Sequence, residues 1–368
     1  MKKVQFNNKE AGFAKSLNQA VDQYFSSRYL AKTGNWQLYW KTIILVSLAL
    51  ALYLVFLFVP MAAAGVVLLG LTLGLTSASI GFNVMHDANH QSYSTKKWVN
   101  DTLGFSLNAL GGNSFIWKYK HNVLHHTYTN VDGIDDDIAK SPLIRMCSTQ
   151  PWVPAHRFQH LYTPFLYALS SLIWVLVQDF DKYFQPRLAQ TTMRSKMPPA
   201  EHFIFWFSKL AYALFYIVIP ILLLGWQPWL LFFLSLHIGM GLTLAIVFQL
   251  AHVVKGTAFE HADDSTRKLD TAWAEYQVRT TVDFARNNKL ISWLVGGLNF
   301  QIEHHLFPRI SHIHYPAISK IVQATCIEYN LPYLCMPGFG AAVQSHFQQL
   351  RLLGQKPRSP YYIENRKP

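Results

Sequence analysis

The 368-residue sequence predicts an all-α integral membrane protein, with four transmembrane helices in two hairpins and a cytoplasmic helical cap holding a histidine-rich metal site. Three observations predict it. Charged residues make up only 14% of the chain, hydrophobic ones 51% and aromatic ones 15%, whereas an average soluble chain is about 25% charged. Apolar runs long enough to cross a bilayer occur in two pairs. Sixteen histidines are present, and eight of them gather in short groups, two of which begin where an apolar run ends. A mean hydropathy of only +0.12 shows that the chain divides between membrane and water.

The first pair of runs is 42–59, "TIILVSLALALYLVFLFV", and 61–85, "MAAAGVVLLGLTLGLTSASIGFNVM", interrupted by Pro60. About 20 apolar residues span a bilayer core as a helix, so these read as two spans with a tight turn. The second pair is 203–224, "FIFWFSKLAYALFYIVIPILLL", and 229–250, "WLLFFLSLHIGMGLTLAIVFQL", joined by "GWQP". Both turns lack Lys and Arg. Segments 1–41, 86–202 and 251–368 carry almost all the basic residues, in a chain of net charge +12. Basic residues flanking spans stay on the cytoplasmic side, so these segments and both termini are expected there together. Lys209, inside the third run, is expected to snorkel outward.

Two shorter stretches, 102–117 and 162–177, are broken by Gly or Pro and read as interfacial or re-entrant helices. Phe13, Leu17, Val21 and Tyr24 recur at helical spacing, as do Ile318, Ile321, Val322 and Thr325. The expected organisation is an N-terminal amphipathic cytoplasmic segment, 1–41, a membrane domain, 42–320, and a C-terminal helical tail, 321–368. The N-terminus has no early apolar run, so no cleaved signal peptide is expected. Cys147, Cys326 and Cys335 form no C-x-x-C pair, which argues against a disulfide framework and a thiolate metal site. The positive charge sits on no recognisable nucleic-acid motif, and no nucleic-acid partner is expected.

The histidine groups carry the chemistry. "HDANH" places His86 and His90 at i,i+4 on one helix face, directly after the second run. "HNVLHH" places His121 and His125 at the same spacing, with His126 adjacent. "QIEHH" supplies His304 and His305 after Gln301, and His252 closes the fourth run. Neutral imidazole is the commonest protein metal ligand. A catalytic zinc takes about three protein ligands and a structural one four, so eight histidines exceed one zinc site and suit two metals with open positions. Imidazole alone does not name the metal. "HRFQH" puts His156 and His160 at the same spacing and shows how little one such pair means. His237, inside a run, reads as a satisfied packing residue. His202, His261 and His346 read as surface residues, and His312 and His314 are left outside the ligand set. A zinc-dependent membrane hydrolase and a metal-binding receptor or transporter stay open on these residues, although the latter calls for ionisable groups along the spans.

From about residue 40 to about residue 320 the sequence resembles the membrane fatty acid desaturases, in the three ordered boxes "HDANH", "HNVLHH" and "QIEHH" and in the longer strings "HHTYTNVDGIDDDI", "FQHLYTPFLY" and "GGLNFQIEHHLFP". The resemblance implies a non-haem di-iron centre, with molecular oxygen as co-substrate, that removes two hydrogens from a fatty acyl chain carried as acyl-CoA or acyl-lipid. A hydroxylase of the same superfamily is the nearest alternative. The implied ligands are His86, His90, His121, His125, His126, His304 and His305, with His252 as the additional histidine. Gln301, in place of a first histidine in the third box, resembles the front-end subgroup, which places its double bond between an existing one and the carboxyl end. It is a weaker oxygen donor, acting directly or through water. Asp87, the run Asp132, Asp135, Asp136 and Asp137, and Glu303 are expected to accept the outer N–H of ligand imidazoles. Lys118, Lys120 and Arg145 are candidates for holding a CoA phosphate or lipid headgroup. No His-Pro-Gly-Gly motif of a fused cytochrome b5 domain is present. A separate electron donor of ferredoxin or cytochrome b5 type is therefore expected, in a bacterial inner membrane.

Overall fold

Apolar helices dominate the computed structural model, which describes residues 4–7, 12–138, 142–185, 197–259 and 268–357. Helix α1 (Gly12–Ser27) buries Phe13, Leu17, Val21 and Phe25, four positions each one helical turn apart. Helix α2 (Trp36–Phe58) starts where the Asn35 side chain accepts a hydrogen bond from the Gln37 N–H, satisfying one of the unpaired donors of its first turn. Helix α3 (Ala63–Asn89) follows. Helix α4 (114–128) is capped by Asn113, whose side chain accepts from the Ile116 N–H. Helices α5 (Pro154–Phe184), α6 (Pro199–Leu224) and α7 (Trp226–His252) supply the remaining apolar length. The cap is completed by α8 (Trp273–Thr280), α9 (Gln301–Leu306), α10 (Tyr315–Glu328) and α11 (Phe339–Leu353).

Five helices, α2, α3, α5, α6 and α7, are long and apolar enough to cross a membrane. The four expected runs are among them, and α5 contains the stretch read from sequence as too short. The difference lies in its ends: polar turns extend the apolar centre to 31 residues. Helices α3 and α7 are 27 residues each, about 40 Å at 1.5 Å per residue. That exceeds a hydrocarbon core of about 30 Å, so each has one or two turns to project beyond it. The two pack closely along small residues. A Cβ on Gly74 would lie 2.2 Å from Leu236 O, and one on Gly239 would lie 2.6 Å from Leu71 O. This contact brings the His86 end of α3 and the His252 end of α7 to the same place.

The expectation of a purely helical chain is corrected by two small parallel strand pairs. β1 (Gln5–Phe6) pairs with β2 (Lys268–Leu269), and β3 (Asp283–Phe284) pairs with β4 (Cys335–Met336). Two-residue strands leave no periodicity to read in a sequence. They fasten segments near both ends of the chain to the cap. Below them, α1, α8, α9 and α10 share one core, in which Phe13, Leu17, Val278, Ile302, Ile318 and Val322 meet.

Lys209 does not snorkel. Its Nζ lies 2.8 Å from Asp179 Oδ2 and donates to Gly111 O at 2.7 Å and Val175 O at 2.9 Å, tying α6 to α5. An ion pair with two further carbonyl acceptors offsets the cost of burying the charge. His346 is buried rather than on the surface, its ring nitrogens 2.7 Å from Val253 O and 2.9 Å from Tyr167 Oη. His237 uses both nitrogens, on Ser171 at 3.0 Å and Tyr212 at 2.8 Å. His202 is exposed, and His261 lies outside the described residues.

The turn before α9 has strict backbone needs. Gly296 and Gly297 have φ of 59° and 66°, a region costly for residues with a Cβ. A Cβ on Gly296 would also lie 2.4 Å from Phe82 O. Gly296→Ala is therefore expected to cost about 1–3 kcal/mol in backbone strain, with the contact to α3 displaced in addition. Thermal unfolding in detergent checks this, and an unchanged midpoint would show that the turn yields.

Candidate metal centre

Two π-helical turns build the site. In α3 the apolar helix passes through a π turn at Gly81–Met85 and re-forms as α-helix at His86. Asn83 holds the turn, its Nδ2 donating to Ser79 O at 2.8 Å and to Leu294 O at 3.0 Å. In α4 the π segment is Tyr119–His125. A π turn brings residues five apart, rather than four, onto one face. His121 and His126 accordingly meet with their Nε2 atoms 3.2 Å apart, while the ring of His125 turns toward α7.

The eight histidines of the three boxes and the end of α7 converge, and all are buried. His86, His90, His121 and His304 can bring ligand atoms within 4.8 Å of one another, and so can His125, His252 and His305. His126 forms a third such set with His304 and His305, and so stands between the two groups. Trp117 stacks on His121 with ring centroids 4.3 Å apart, closing one side.

Electrostatics keep five of these rings neutral. Burial, and then the neighbouring imidazoles, hold His90, His121, His126, His304 and His305 well below the ordinary histidine range. Neutral imidazole is the form that binds metal. Nε2 of His86, His90, His125, His304 and His305 and Nδ1 of His126 are buried without a hydrogen-bond partner. Buried polar atoms left unpaired are costly, and six gathered in one place fit a site built around cations. Gln301 is buried on the same short helix, its Oε1 likewise unpartnered.

The outer partners agree only in part with expectation. Asp135 lies 3.1 Å from His125 Nδ1 and also accepts from the Asn130 and Asp137 N–H groups, at 2.9 Å each. Asp137 lies 3.7 Å from the same ring nitrogen. Asp87 is 4.0 Å from His86 Nδ1 but closer to Ser311 Oγ, at 2.7 Å, and to His312 Nδ1, at 3.0 Å. Lys41 of α2 then lies 3.3 Å from His312 Nε2. Asp132 accepts from Thr149 Oγ1 at 2.6 Å. Asp136 pairs with Lys182, and at 3.8 Å with Lys120, and reaches no ring.

Glu303 is a correction: it faces away from the imidazoles. Its Oε1 accepts from Tyr333 Oη at 2.9 Å, and the same hydroxyl reaches Asp283 Oδ2 at 2.6 Å. Burial and the adjacent Asp283 carboxyl raise Glu303 well above the usual carboxylate range, so the pair retains a proton. Asp283 Oδ1 meanwhile accepts from the Ile302 N–H at 3.1 Å. The cluster braces α9 from behind.

Two of the headgroup candidates are also corrected. Arg145 is buried, donating to the backbone carbonyls of Gln150 at 2.8 Å, Leu353 at 2.6 Å and Ser148. Lys120 Nζ lies 2.7 Å from Asp137 Oδ1; burial acts to lower its pKa, but Asp137 and Asp136 outweigh it and hold the ammonium charged. Arg145 is thus engaged by backbone carbonyls and Lys120 by a carboxylate. Lys118 is half-buried, and its side chain makes no hydrogen bond or ion pair among the described residues.

Sequence reasoning did not find three outer partners. Tyr315 Oη is 3.1 Å from His304 Nδ1. Gln277 Oε1 is 2.9 Å, and Thr129 Oγ1 3.2 Å, from His305 Nδ1. Tyr315 and Thr129 flank histidine groups, in "SHIHYP" and "HHTYTN", a weak signal; Gln277 had none. His156, excluded from the ligands, lies elsewhere, its Nε2 2.8 Å from Pro142 O and its Nδ1 accepting from the Val153 N–H at 3.1 Å.

Two cavities matter. One, of about 340 Å³, opens against His90 and His126 and is otherwise lined by polar side chains, Trp273 and Pro308. The other, an apolar groove of about 820 Å³ between α2 and α6, touches none of the clustered histidines.

The family model described as fatty acid desaturase matches residues 62–337. The sn-1 linoleoyl-lipid 6-desaturase of Synechocystis sp. is 35% identical over 359 residues, covering 96% of this chain and 98% of the relative. The enzyme of the same name from Arthrospira platensis is 34% identical, covering 97% and 96%. An acyl-lipid (8-3)-desaturase of Physcomitrium patens is 36% identical over 90% of this chain and 64% of the relative.

Proposed function

The chain belongs to the membrane fatty acid desaturase family, and we propose that it is a front-end acyl-lipid desaturase that introduces a double bond at the 6-position. It is an integral membrane oxidoreductase acting on fatty acyl chains. The observation that carries the reading is the pair of buried imidazole groups, with His126 set beside His304 of one and His305 of the other. Gln301 in the third box and the full-length similarity to two linoleoyl-lipid 6-desaturases support the position of the bond.

His86, His90, His121 and His304 would hold one iron and His125, His252 and His305 the other, with His126 between them. Gln301 offers an amide oxygen to the same centre. When bound, a redox-active metal pair with molecular oxygen supplies the oxidation that an unactivated methylene pair requires, since such carbons have no acidic proton for acid–base catalysis. The protein's share is orientation. Asp135, Tyr315 and Gln277 take the outer Nδ1 of His125, His304 and His305, which leaves each Nε2 facing inward. Trp117 and Phe248 wall the rings off from water. Electrons enter from a separate redox protein of ferredoxin or cytochrome b5 type.

The parity of crossings supports four spans, with α5 lying in or re-entering the interface. If α5 also crossed, α7 would end on the side opposite α3. Yet His252, at the end of α7, closes a group with His125 and His305. The basic segments outside the hairpins support a cytoplasmic centre, with 1–41 and 321–368 on the same side of the 42–320 domain, in a bacterial inner membrane.

Expression in a host without this activity, fed defined acyl chains, tests the reading. The expected product has lost two hydrogens, on the carboxyl side of an existing double bond, and the purified protein holds two irons per chain. A product that gains one oxygen would indicate hydroxylation. One tightly held zinc and no iron, after growth in iron-replete medium, would overturn the assignment.

A further inference from the structure

We infer that the cavity against His90 and His126 is a recognition site for the carbonyl end of the acyl substrate, with Arg309 as its principal donor. The inference rests on the front-end reading. A double bond placed near the carboxyl end leaves only a few carbon–carbon bonds between the reacting carbons and the ester. At about 1.5 Å per bond, a chain of five bonds reaches at most about 8 Å. The ester therefore cannot lie at a remote surface. It must sit beside the metal centre, in a space that is polar and open to a headgroup.

The cavity of about 340 Å³ meets these requirements. His90 and His126 form its inner wall, and Asn122, Thr127, Gln91 and Arg309 its polar lining. The Arg309 side chain is exposed and has neither an ion pair nor a hydrogen bond with any described residue. Arg145 and Lys120, by contrast, are consumed by backbone carbonyls and carboxylates. A guanidinium presents planar N–H donors suited to a carbonyl or phosphate oxygen. Asn122 donates its Nδ2 to Asn89 O at 3.0 Å, and its Oδ1 is buried without a partner. That oxygen suits a hydroxyl of a glycerol or sugar. Gln91 is held at φ 60°, a strained conformation for a residue with a Cβ, at the cavity's edge. The apolar wall, Trp273 and Pro308, suits the first methylenes.

A glycerolipid ester and an acyl-CoA thioester share the carbonyl that this site would bind. The test compares the parent with Arg309→Gln, Arg309→Lys and Asn122→Leu, each purified with its metals. Steady-state desaturation is measured with the glycerolipid and with the acyl-CoA of one unsaturated chain. Equilibrium binding of each is measured without reductant. Removing a charge-assisted hydrogen bond is expected to raise the KM of Arg309→Gln about 10-fold or more, with equal weakening of binding, kcat within about threefold, and partial recovery in the lysine variant. Asn122→Leu is expected to raise KM for the hydroxyl-bearing glycerolipid more than for acyl-CoA. A shift confined to one carrier supports the site and names its source. An unchanged KM and unchanged binding overturn it. So does a shift in the KM for the reduced donor protein alone, which would make this surface the donor's dock, and so does loss of metal, which would make Arg309 a structural prop. A parent that places its bond on the methyl side overturns the front-end reading and this site with it. A front-end parent with an indifferent Arg309 overturns the site alone.

Discussion

His126→Ala is expected to abolish desaturation and to deplete both metals rather than one. His126 forms a set with His304, which completes one imidazole group, and with His305, which completes the other. Its Nε2 also lies 3.2 Å from that of His121. Removing it opens a cavity between the two groups and takes away a ring set beside a member of each. His305→Ala, by contrast, is expected to be equally inactive but to deplete mainly the site shared with His125 and His252. The loss in each should exceed the 10–100-fold typical of removing an outer partner. Metal analysis and lipid profiling of the same preparations check this. His156→Ala serves as the control, since among the described residues its ring bonds only Pro142 O and the Val153 N–H. It is expected to lower thermal stability by about 1–2 kcal/mol and to keep its metals. If His126→Ala retained two irons and desaturated normally, the division into two groups would be wrong.

Asp135→Asn is expected to reduce activity 10–100-fold while the protein stays folded. The two carboxylate oxygens of Asp135 accept from three N–H groups: His125 Nδ1, the Asn130 backbone and the Asp137 backbone. An amide keeps the shape but replaces one oxygen with a donor. Whichever way it turns, its NH2 faces an N–H that needs an acceptor. The His125 ring is then free to rotate or to change tautomer, and its Nε2 no longer points reliably at the centre. The expected signature is weaker iron retention during dialysis against a chelator, with a fall in kcat and little change in KM. Activity within about twofold of the parent would mean that Asp137, 3.7 Å from the same nitrogen, orients the ring by itself.

Much of the centre was legible because its signals are local. A run of about 20 apolar residues is a span wherever it occurs, and the boxes stand out because histidine is rarely clustered without reason. Asp135 was legible for the same reason, ten residues beyond the ring it holds. Glu303 shows the limit: it sits beside His304 in the sequence, yet neighbours on a helix point in different directions, and it turns to Asp283 and Tyr333. Arg145 and Lys120 looked like headgroup ligands because charge in a sequence carries no account of burial. Arg309 drew no attention for the opposite reason, since a lone exposed arginine is ordinary until a cavity is seen beside it.

The sequence by itself determined the membrane class, the two helical hairpins, the family and the eight clustered histidines. Each depends on composition or on spacing within one helix, where a fixed rise and turn convert residue number directly into position. Only the tertiary structure decided how the histidines are shared out. The π segment Tyr119–His125 moves His126 onto the face of His121 and turns His125 toward His252. The close glycine contact of α3 with α7 and the Gly296–Gly297 turn against Phe82 set where the other histidines meet them. These features reflect packing between segments far apart in the chain, such as Asn83 and Leu294, which are separated by 211 residues. No local rule encodes that packing.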